Sequence, residues 1–436
     1  MKFKKPDNEN YCAIIVSLNM MINLENCDNI QGTMIFGNQV IVSKNAKSGD
    51  IGIYFPAETQ LSIDYMKENN LYRHPEHNND KNVKGYVEDN RRVKTVRMRG
   101  YMSCGLFMPL ESISFCYDKD KLEIGDMFDE LRSTKICNKY IIIKKVAMPG
   151  TKGQRKRVKE SKCLTGQFRF HHDTTQLGRN LHRFGKNDFI SVSYKMHGAS
   201  AIVSKVLCKK NINLFYKTLR WAGVPIIDTE YDNLYASRKV IKNDDMREIK
   251  HAFYNEDIWG LANTRLQPFL LDGMTIYAEI VGYLPTGQSI QKGYDYGCPM
   301  GEFDIYIYRI TYTNVSGIPF EFSFRQVTDW CKDRGLKSVP QLFYGRVKKL
   351  FRYPGGRAYV KHYDENATFQ VNLLNVLKGM YLEKDCYMCK NDVPGEGVVV
   401  RLELNHFEAY KLKSFRFLER ESKQYDKGEV DIEEVG

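Results

Sequence analysis

The sequence predicts an α+β protein in two parts, a mainly β domain that reads as a small barrel or sandwich followed by a larger domain that mixes strands with helices. Three observations lead there. Up to about residue 147 the apolar residues fall in short alternating runs separated by Gly, Asn and Asp, the signature of closely spaced strands. Residues 148–162 then break the pattern, with Pro149, Gly150, Gly153 and six Lys or Arg against one Glu. From 163 onward, strand-like runs mix with helical periodicity. A chain of 436 residues is also too long for one small core. The expected division is therefore a first domain over 1–147, a basic linker over 148–162, a second domain over 163–421 and a flexible polar tail over 422–436.

In the first domain the expected strands are Cys12–Leu18, Met34–Val42, Ile51–Phe55, Val93–Met98, Ser112–Cys116 and Tyr140–Val146, with a helix over Thr59–Asn70. Strands at this density fit a small barrel or a sandwich, a five-stranded nucleic-acid-binding barrel being one option. Arg91, Arg92, Lys94, Arg97 and Arg99 interleave with Val93, Val96 and Met98, so one face reads either as a phosphate track or as an ordinary solvated strand. In the second domain, helices are expected near Asp244–Phe253, Arg325–Arg334 and Thr368–Glu383.

The net charge of +12 favours polyanionic partners: nucleic acid, nucleotide phosphates or an acidic membrane. No apolar run approaches the ~18 residues a membrane helix needs. Asp7 and Glu9 spoil any signal-peptide reading of the N-terminus. Eleven cysteines without a regular framework imply reduced thiols, so an intracellular, cytoplasmic setting is expected, in a host or viral context. Cys386 and Cys389 make half a zinc site at most, because no second pair follows at a suitable spacing.

The chemistry centres on Asp188-Phe-Ile-Ser-Val-Ser-Tyr-Lys-Met-His-Gly-Ala-Ser200. Ile190 and Val192 alternate with polar neighbours in a half-buried strand that delivers Lys195 to a turn. Gly198 is expected to supply that turn with a positive φ, and a second strand resumes at Ala201. A lysine at such a lip is either a surface residue or a covalent nucleophile, the latter only with its amine partly deprotonated.

Possible partners follow in order. Ile276-Tyr-Ala-Glu-Ile-Val-Gly282 sets Glu279 among apolar neighbours, where a carboxylate needs a donor: a ribose hydroxyl or a structural arginine. Asp304-Ile-Tyr-Ile-Tyr-Arg-Ile310 puts Tyr306 and Tyr308 on one face, either able to stack on a purine. Glu396 lies between Gly395 and Gly397 at the mouth of a β-branched strand, either open to a metal or a basic group or simply a turn acid with no role. Lys411 and Lys413 share one face of a strand, where two cations repel unless both face water or an anion lies between them. In His171-His172-Asp173 at most one histidine can face a given site, since strand neighbours point oppositely.

As an ordered set, Lys-x-His-Gly, a strand acid, an aromatic strand, Glu-Gly-Val-Val-Val-Arg and Tyr-Lys-Leu-Lys resemble the motif series of the covalent nucleotidyltransferases, which include polynucleotide ligases and mRNA capping enzymes. The series covers roughly residues 190–415. Three more stretches are similar to the Deinococcus-type RNA ligases, which carry an N-terminal OB domain: Gly49–Ala57 with Met98–Gly100, Phe168–Thr174 and Ile290–Gly297. His197 departs from the family, where many ligases have Asp. Too few residues follow Phe415 for the C-terminal OB domain of DNA ligases and capping enzymes.

The resemblance implies an OB-like β-barrel followed by a nucleotidyltransferase domain of antiparallel sheets flanked by helices, and an ATP-dependent RNA ligase that joins a 3′-hydroxyl to a 5′-phosphate, acting as a monomer on RNA or an RNA-containing duplex with a nick. Lys195 would carry AMP, with Mg²⁺ or Mn²⁺ assisted by Glu396. Glu279 would hold the ribose and Tyr308 would stack on adenine, with Tyr306 the alternative. Arg238, in Ala236-Ser-Arg-Lys-Val-Ile-Lys-Asn243, would touch ribose or the terminal phosphate. Lys411 and Lys413 would grip the α-phosphate, and Gly198 would shape the lysine turn. Two rivals remain: a guanylyltransferase using GTP at the same lysine, and a non-catalytic RNA-binding protein with a vestigial pocket.

Overall fold

The computed structural model describes residues 4–142, 161–210, 212, 214–243, 257–353 and 358–429. The chain divides into two compact units: residues 1–143 with 175–181 and 413–429, and residues 144–174 with 182–412 and 430–436. Most of the expected basic linker, the expected helix over Asp244–Phe253 and the last residues of the expected tail lie outside the described residues.

The first unit is built on antiparallel strands in the order Met127–Phe128, Ala13–Ser17, Ile51–Phe55 and Leu106–Pro109. Ala13–Val16 is an unbroken apolar run because both faces of this sheet are covered. Ala13, Ile15, Ile53 and Phe55 pack with Tyr65 and Met66 of a short helix, Ile63–Glu68. Ile14, Val16 and Tyr54 point the other way, onto Val40 and Val42.

Several sequence expectations need correction here. Met34–Val42 is not one strand but parts of a hairpin, Ile30–Ile35 and Asn38–Ser43, turned at Phe36 (φ 49°) and Gly37 (φ 79°). Ser112–Cys116 is no strand, since a 3₁₀ turn occupies Leu110–Ile113. Thr59–Leu61 is a strand, and the helix begins only after Ser62, whose hydroxyl caps the Tyr65 amide. Tyr140–Ile142 forms no strand, and the rest of that run lies outside the described residues. The expected tail starts inside a helix, Phe415–Asp426, capped by Ser414 and anchored by buried Phe417, Ser422 and Tyr425.

The basic face of Arg91–Arg99 is largely engaged within this unit. Arg92 is sealed from solvent, and its Nη1 donates to both Glu58 carboxylate oxygens at 2.8 Å. Its Nη2 donates to the Ser422 carbonyl and to Asp426. Lys94 pairs with Glu88 and Asp426, and Arg97 with Glu419. These contacts oppose the reading of that face as an open phosphate track.

The second unit holds two antiparallel sheets. In one, Phe407–Lys413, Gly397–Glu403, Phe189–Lys195 and Gln341–Arg346 lie side by side in that order. In the other the order is Thr229–Ala236, Ala199–Lys209, Met274–Gly282, Phe303–Thr313 and Pro319–Glu321. One face of this second sheet presents Ala199, Ala201, Ala278, Ile280 and Ile307 to Trp259 and Ala262 of the Ile258–Leu266 helix and to Val327 and Cys331 of the Phe324–Lys332 helix. Strand alternation then turns Ser200, Glu279 and Tyr306 to the opposite face, away from that core. The expected helices at Arg325–Arg334 and Thr368–Glu383 are present as Phe324–Lys332 and Phe369–Tyr381, capped by Ser323 and Thr368. Among the described residues no helix is long and apolar enough to cross a membrane.

Candidate active site

Lys195 is the last residue of its strand, and the chain crosses from the first of these sheets to the second through Met196–Gly198. The lysine lies opposite Gly397, so the preceding residue, Glu396, meets it across the strand pair. The Lys195 Nζ is 2.7 Å from Glu396 Oε1. The Glu396 side chain is 3 % exposed and the Lys195 side chain 20 % exposed, so the pair is largely buried and the lysine less deeply than its partner. His197 Nδ1 lies 3.9 Å from the other carboxylate oxygen.

Gly198 is required here for a different reason from the expected one. Its φ is not in the left-handed region. A Cβ at this position would instead stand 2.5 Å from the Ile280 carbonyl oxygen, so the glycine permits a close backbone approach between neighbouring strands. Gln291 fixes the same turn by donating to the Gly198 carbonyl at 3.0 Å.

Ile290–Gly297 supports the turn from outside. The His197 amide donates to the Tyr296 hydroxyl at 2.6 Å, and the His197 ring meets Tyr294 edge-on at 4.9 Å. Tyr294 donates to the Pro394 carbonyl, two residues before Glu396. Burial holds the Tyr296 phenol far above its ordinary range. Asp295 gathers the backbone amides of Gly297, Lys390 and Asn391. Burial pulls its carboxyl up, but those amides outweigh burial and hold it below the ordinary range. Sequence reasoning gave these residues no role. The signal was a run of Tyr, Asp and Gly too dense for a plain loop.

Glu279 is 8 % exposed and accepts from the Ser200 hydroxyl at 3.1 Å. Tyr306 lies directly opposite Glu279 in the register and shares its face, with the Lys337 ammonium 5.7 Å from its ring centre. A bulge shifts the register between Tyr277 and Ala278, and Tyr308 falls at it. Its ring packs near Ile202, Ala236 and Tyr277, and its hydroxyl is 2.6 Å from His171 Nδ1. His172 meets Phe407 instead, so the two histidine rings have different partners, although residues 171–174 form no strand.

Arg238 pairs with Asp173. Burial pulls the Asp173 carboxyl up, yet Arg238, His171 and Lys411 hold it below its ordinary value. The structure thus brings Asp173, Arg238, His171 and Lys411 into one electrostatic cluster. The Lys413 Nζ is 3.2 Å from Glu421 and 4.8 Å from the Phe417 ring centre. The position is chemically coherent, with a buried carboxylate beside a less deeply buried lysine and a second buried carboxylate with an aromatic ring on the face of the next sheet.

Comparison with known proteins bears on the fold. The family model for an OB-fold domain matches residues 13–110. The N-terminal part is an OB fold. No curated protein sequence matches the chain. Among solved structures, a Naegleria gruberi RNA ligase mutant with AMP and Mn is similar at 16 % identity and a TM-score of 0.56, covering 94 % of this chain and 98 % of that one. Another mutant of that ligase, with ATP and Mn, gives 16 % identity and a TM-score of 0.58 over 95 % and 99 %. The same ligase with PPi gives 15 % and 0.56 over 95 % and 99 %. At these identities the likeness is one of fold: an OB-fold domain followed by a sheet-rich domain with flanking helices.

Proposed function

We propose that the chain is an ATP-dependent RNA ligase. One observation carries the reading: the Lys195 amine lies against the buried Glu396 carboxylate at the crossing between two sheets, in a chain that follows solved RNA ligases over 94–95 % of its length. The Lys195 nitrogen attacks the α-phosphorus of ATP; an N–P bond forms and the bond to pyrophosphate breaks. The AMP then passes from Lys195 to the 5′-phosphate of an RNA strand. Finally a 3′-hydroxyl attacks that phosphate, closing the backbone and releasing AMP.

Glu279 holds the ribose, with Ser200 orienting its carboxylate. Tyr308 stacks on adenine, its ring braced by His171; Tyr306 is the alternative because it shares the face of Glu279. Lys411 with Lys413 grips the α-phosphate, and Arg238 touches ribose or the terminal phosphate. The carboxylate of Glu396 would hold a hard divalent cation, Mg²⁺ or Mn²⁺, which would supply charge neutralisation at the phosphates. The N-terminal OB fold supports the nick-sealing branch, with RNA or an RNA-containing duplex as substrate.

The test is incubation of the protein with α-labelled ATP or GTP, followed by sealing of nicks that differ only in whether the 3′-hydroxyl strand is RNA or DNA. Covalent label from ATP and sealing of the RNA-ended nick are expected. Label retained from GTP alone overturns the ligase reading in favour of guanylyl transfer. An adduct formed equally by Lys195→Ala removes the nucleophile.

A further inference from the structure

Away from this site, the first unit holds a second cluster of ligating side chains: His74, His77 and Asp89. Their presented nitrogen and oxygen atoms all lie within 4.8 Å of one another, and His74 Nδ1 is 3.2 Å from Asp89 Oδ2. Among the described residues this is where three His, Cys, Asp or Glu side chains converge in that way. The Cys386–Cys389 pair gathers no third ligand of these kinds among them.

The convergence follows from the backbone. Tyr72 and Val87 form a parallel bridge, closed by the Val87 amide on the Leu71 carbonyl at 2.9 Å and the Arg73 amide on the Val87 carbonyl at 2.8 Å. His74 and Asp89 each lie two residues beyond that bridge. In parallel pairing an equal step brings side chains to the same side, next to one another. Pro75 then opens a 3₁₀ turn, Pro75–His77, that returns His77 toward them, its amide on the His74 carbonyl at 3.1 Å. The turn is not loose. Asn78 is 1 % exposed, accepts from the Tyr72 amide and donates to the carbonyls of Tyr72 and Val83. The His77 ring also rests against buried Tyr72, 5.5 Å between centres. Two imidazoles and a carboxylate therefore stand on a scaffold fixed by interior hydrogen bonds, with their tips in solvent.

We infer that His74, His77 and Asp89 form a binding site for a divalent transition-metal ion of the zinc class. The donor set selects the ion. Two imidazole nitrogens with one carboxylate suit zinc and its neighbours, whereas magnesium and calcium favour all-oxygen sites. Tetrahedral coordination at about 2.0–2.2 Å per ligand requires these atoms to draw slightly closer, and exposed side chains can do so by small rotamer changes. Water completes the shell. The ion ties the 3₁₀ turn to the segment after Val87, closing across its surface a stretch otherwise held by the Tyr72–Val87 bridge and Asn78.

The test uses the whole chain, stripped with a chelator and titrated with Zn²⁺ by calorimetry, beside His77→Ala, Asp89→Asn and Glu396→Gln. The wild type and Glu396→Gln should bind one equivalent that His77→Ala binds about a hundredfold more weakly, with Asp89→Asn between them. Co²⁺ substitution gives a second readout: visible d–d bands of a nitrogen–oxygen site without the sulfur-to-metal charge-transfer band of a thiolate site. Unchanged affinity in His77→Ala, or a thiolate band in the wild type, overturns the proposal. All three ligands are exposed, so His77→Ala and Asp89→Asn test binding and not folding.

Discussion

The first unit buries Arg92 against Glu58, and the second buries Glu396 against Lys195. Both are cation–carboxylate pairs at hydrogen-bonding distance, yet on the proposed function they serve opposite ends. Arg92 has no exposed side-chain surface; Glu58, Ser422 and Asp426 accept from its guanidinium, with Tyr140 and Tyr425 rings 5.3 and 5.5 Å away. A guanidinium keeps its charge at any working pH and so suits a permanent tie. Lys195 keeps a fifth of its side chain accessible and carries an amine that can lose a proton. A buried ion pair ties structure together where it is sealed, and invites chemistry where its cation is reachable and can be neutralised.

Exchanging the two roles is the strongest way to break this comparison. Lys195→Arg should reduce the covalent nucleotide adduct to background while urea denaturation shifts by less than about 1 kcal/mol. Arg92→Met should do the reverse, costing about 3–5 kcal/mol by leaving Glu58 buried without its guanidinium. Adduct formation per folded molecule should then be unchanged. If Arg92→Met abolishes the adduct in protein that is still folded, the division of labour is wrong.

Gly198→Ala tests the backbone under the second pair. Its Cβ meets the Ile280 carbonyl at 2.5 Å, so the strands must part, at about 1–3 kcal/mol. Single-turnover adduct formation should slow by about tenfold, since the shift moves the turn that carries Lys195. Unchanged single-turnover kinetics would remove the close approach from the argument.

The smallest effect belongs to a third pair, half-exposed on its arginine side. Arg183 donates to both Glu408 oxygens, at 2.9 and 3.2 Å, and with Tyr410 and His406 holds the carboxyl at about 2 against the upward pull of burial. The folded value lies below the unfolded one, so the contribution is present above the ordinary glutamate range and fades as pH falls through about 2. Glu408→Gln should therefore be slightly less stable than wild type at neutral pH and indistinguishable at the acid limit, read by thermal unfolding across pH. A gap that widens with acid would reverse the sign.

What the sequence made legible was local. Lys195 with Gly198, Glu396 between glycines and Glu279 among apolar neighbours were visible because each motif lies within a few residues. The meaning of Gly198 was not, because the Ile280 carbonyl that excludes a side chain lies some eighty residues away in the chain. The Arg91–Arg99 run looked basic for the same reason. Asp426, which pairs with both Arg92 and Lys94, is separated from Arg92 by 334 positions. The hairpin within Met34–Val42 was missed because alternation continues through Phe36 and Gly37, where only the backbone reverses. The helices at Ser323 and Thr368 were readable because cap and apolar face sit together in sequence.

Asp173 has one more consequence. On the proposed reading, Arg238 already holds a carboxylate from its own chain before any ligand arrives. An incoming phosphate then exchanges one anion for another and leaves the tally of opposite charges the same. Nucleotide capture should respond only weakly to added salt, whereas the grip on a long polyanionic strand should fall steeply.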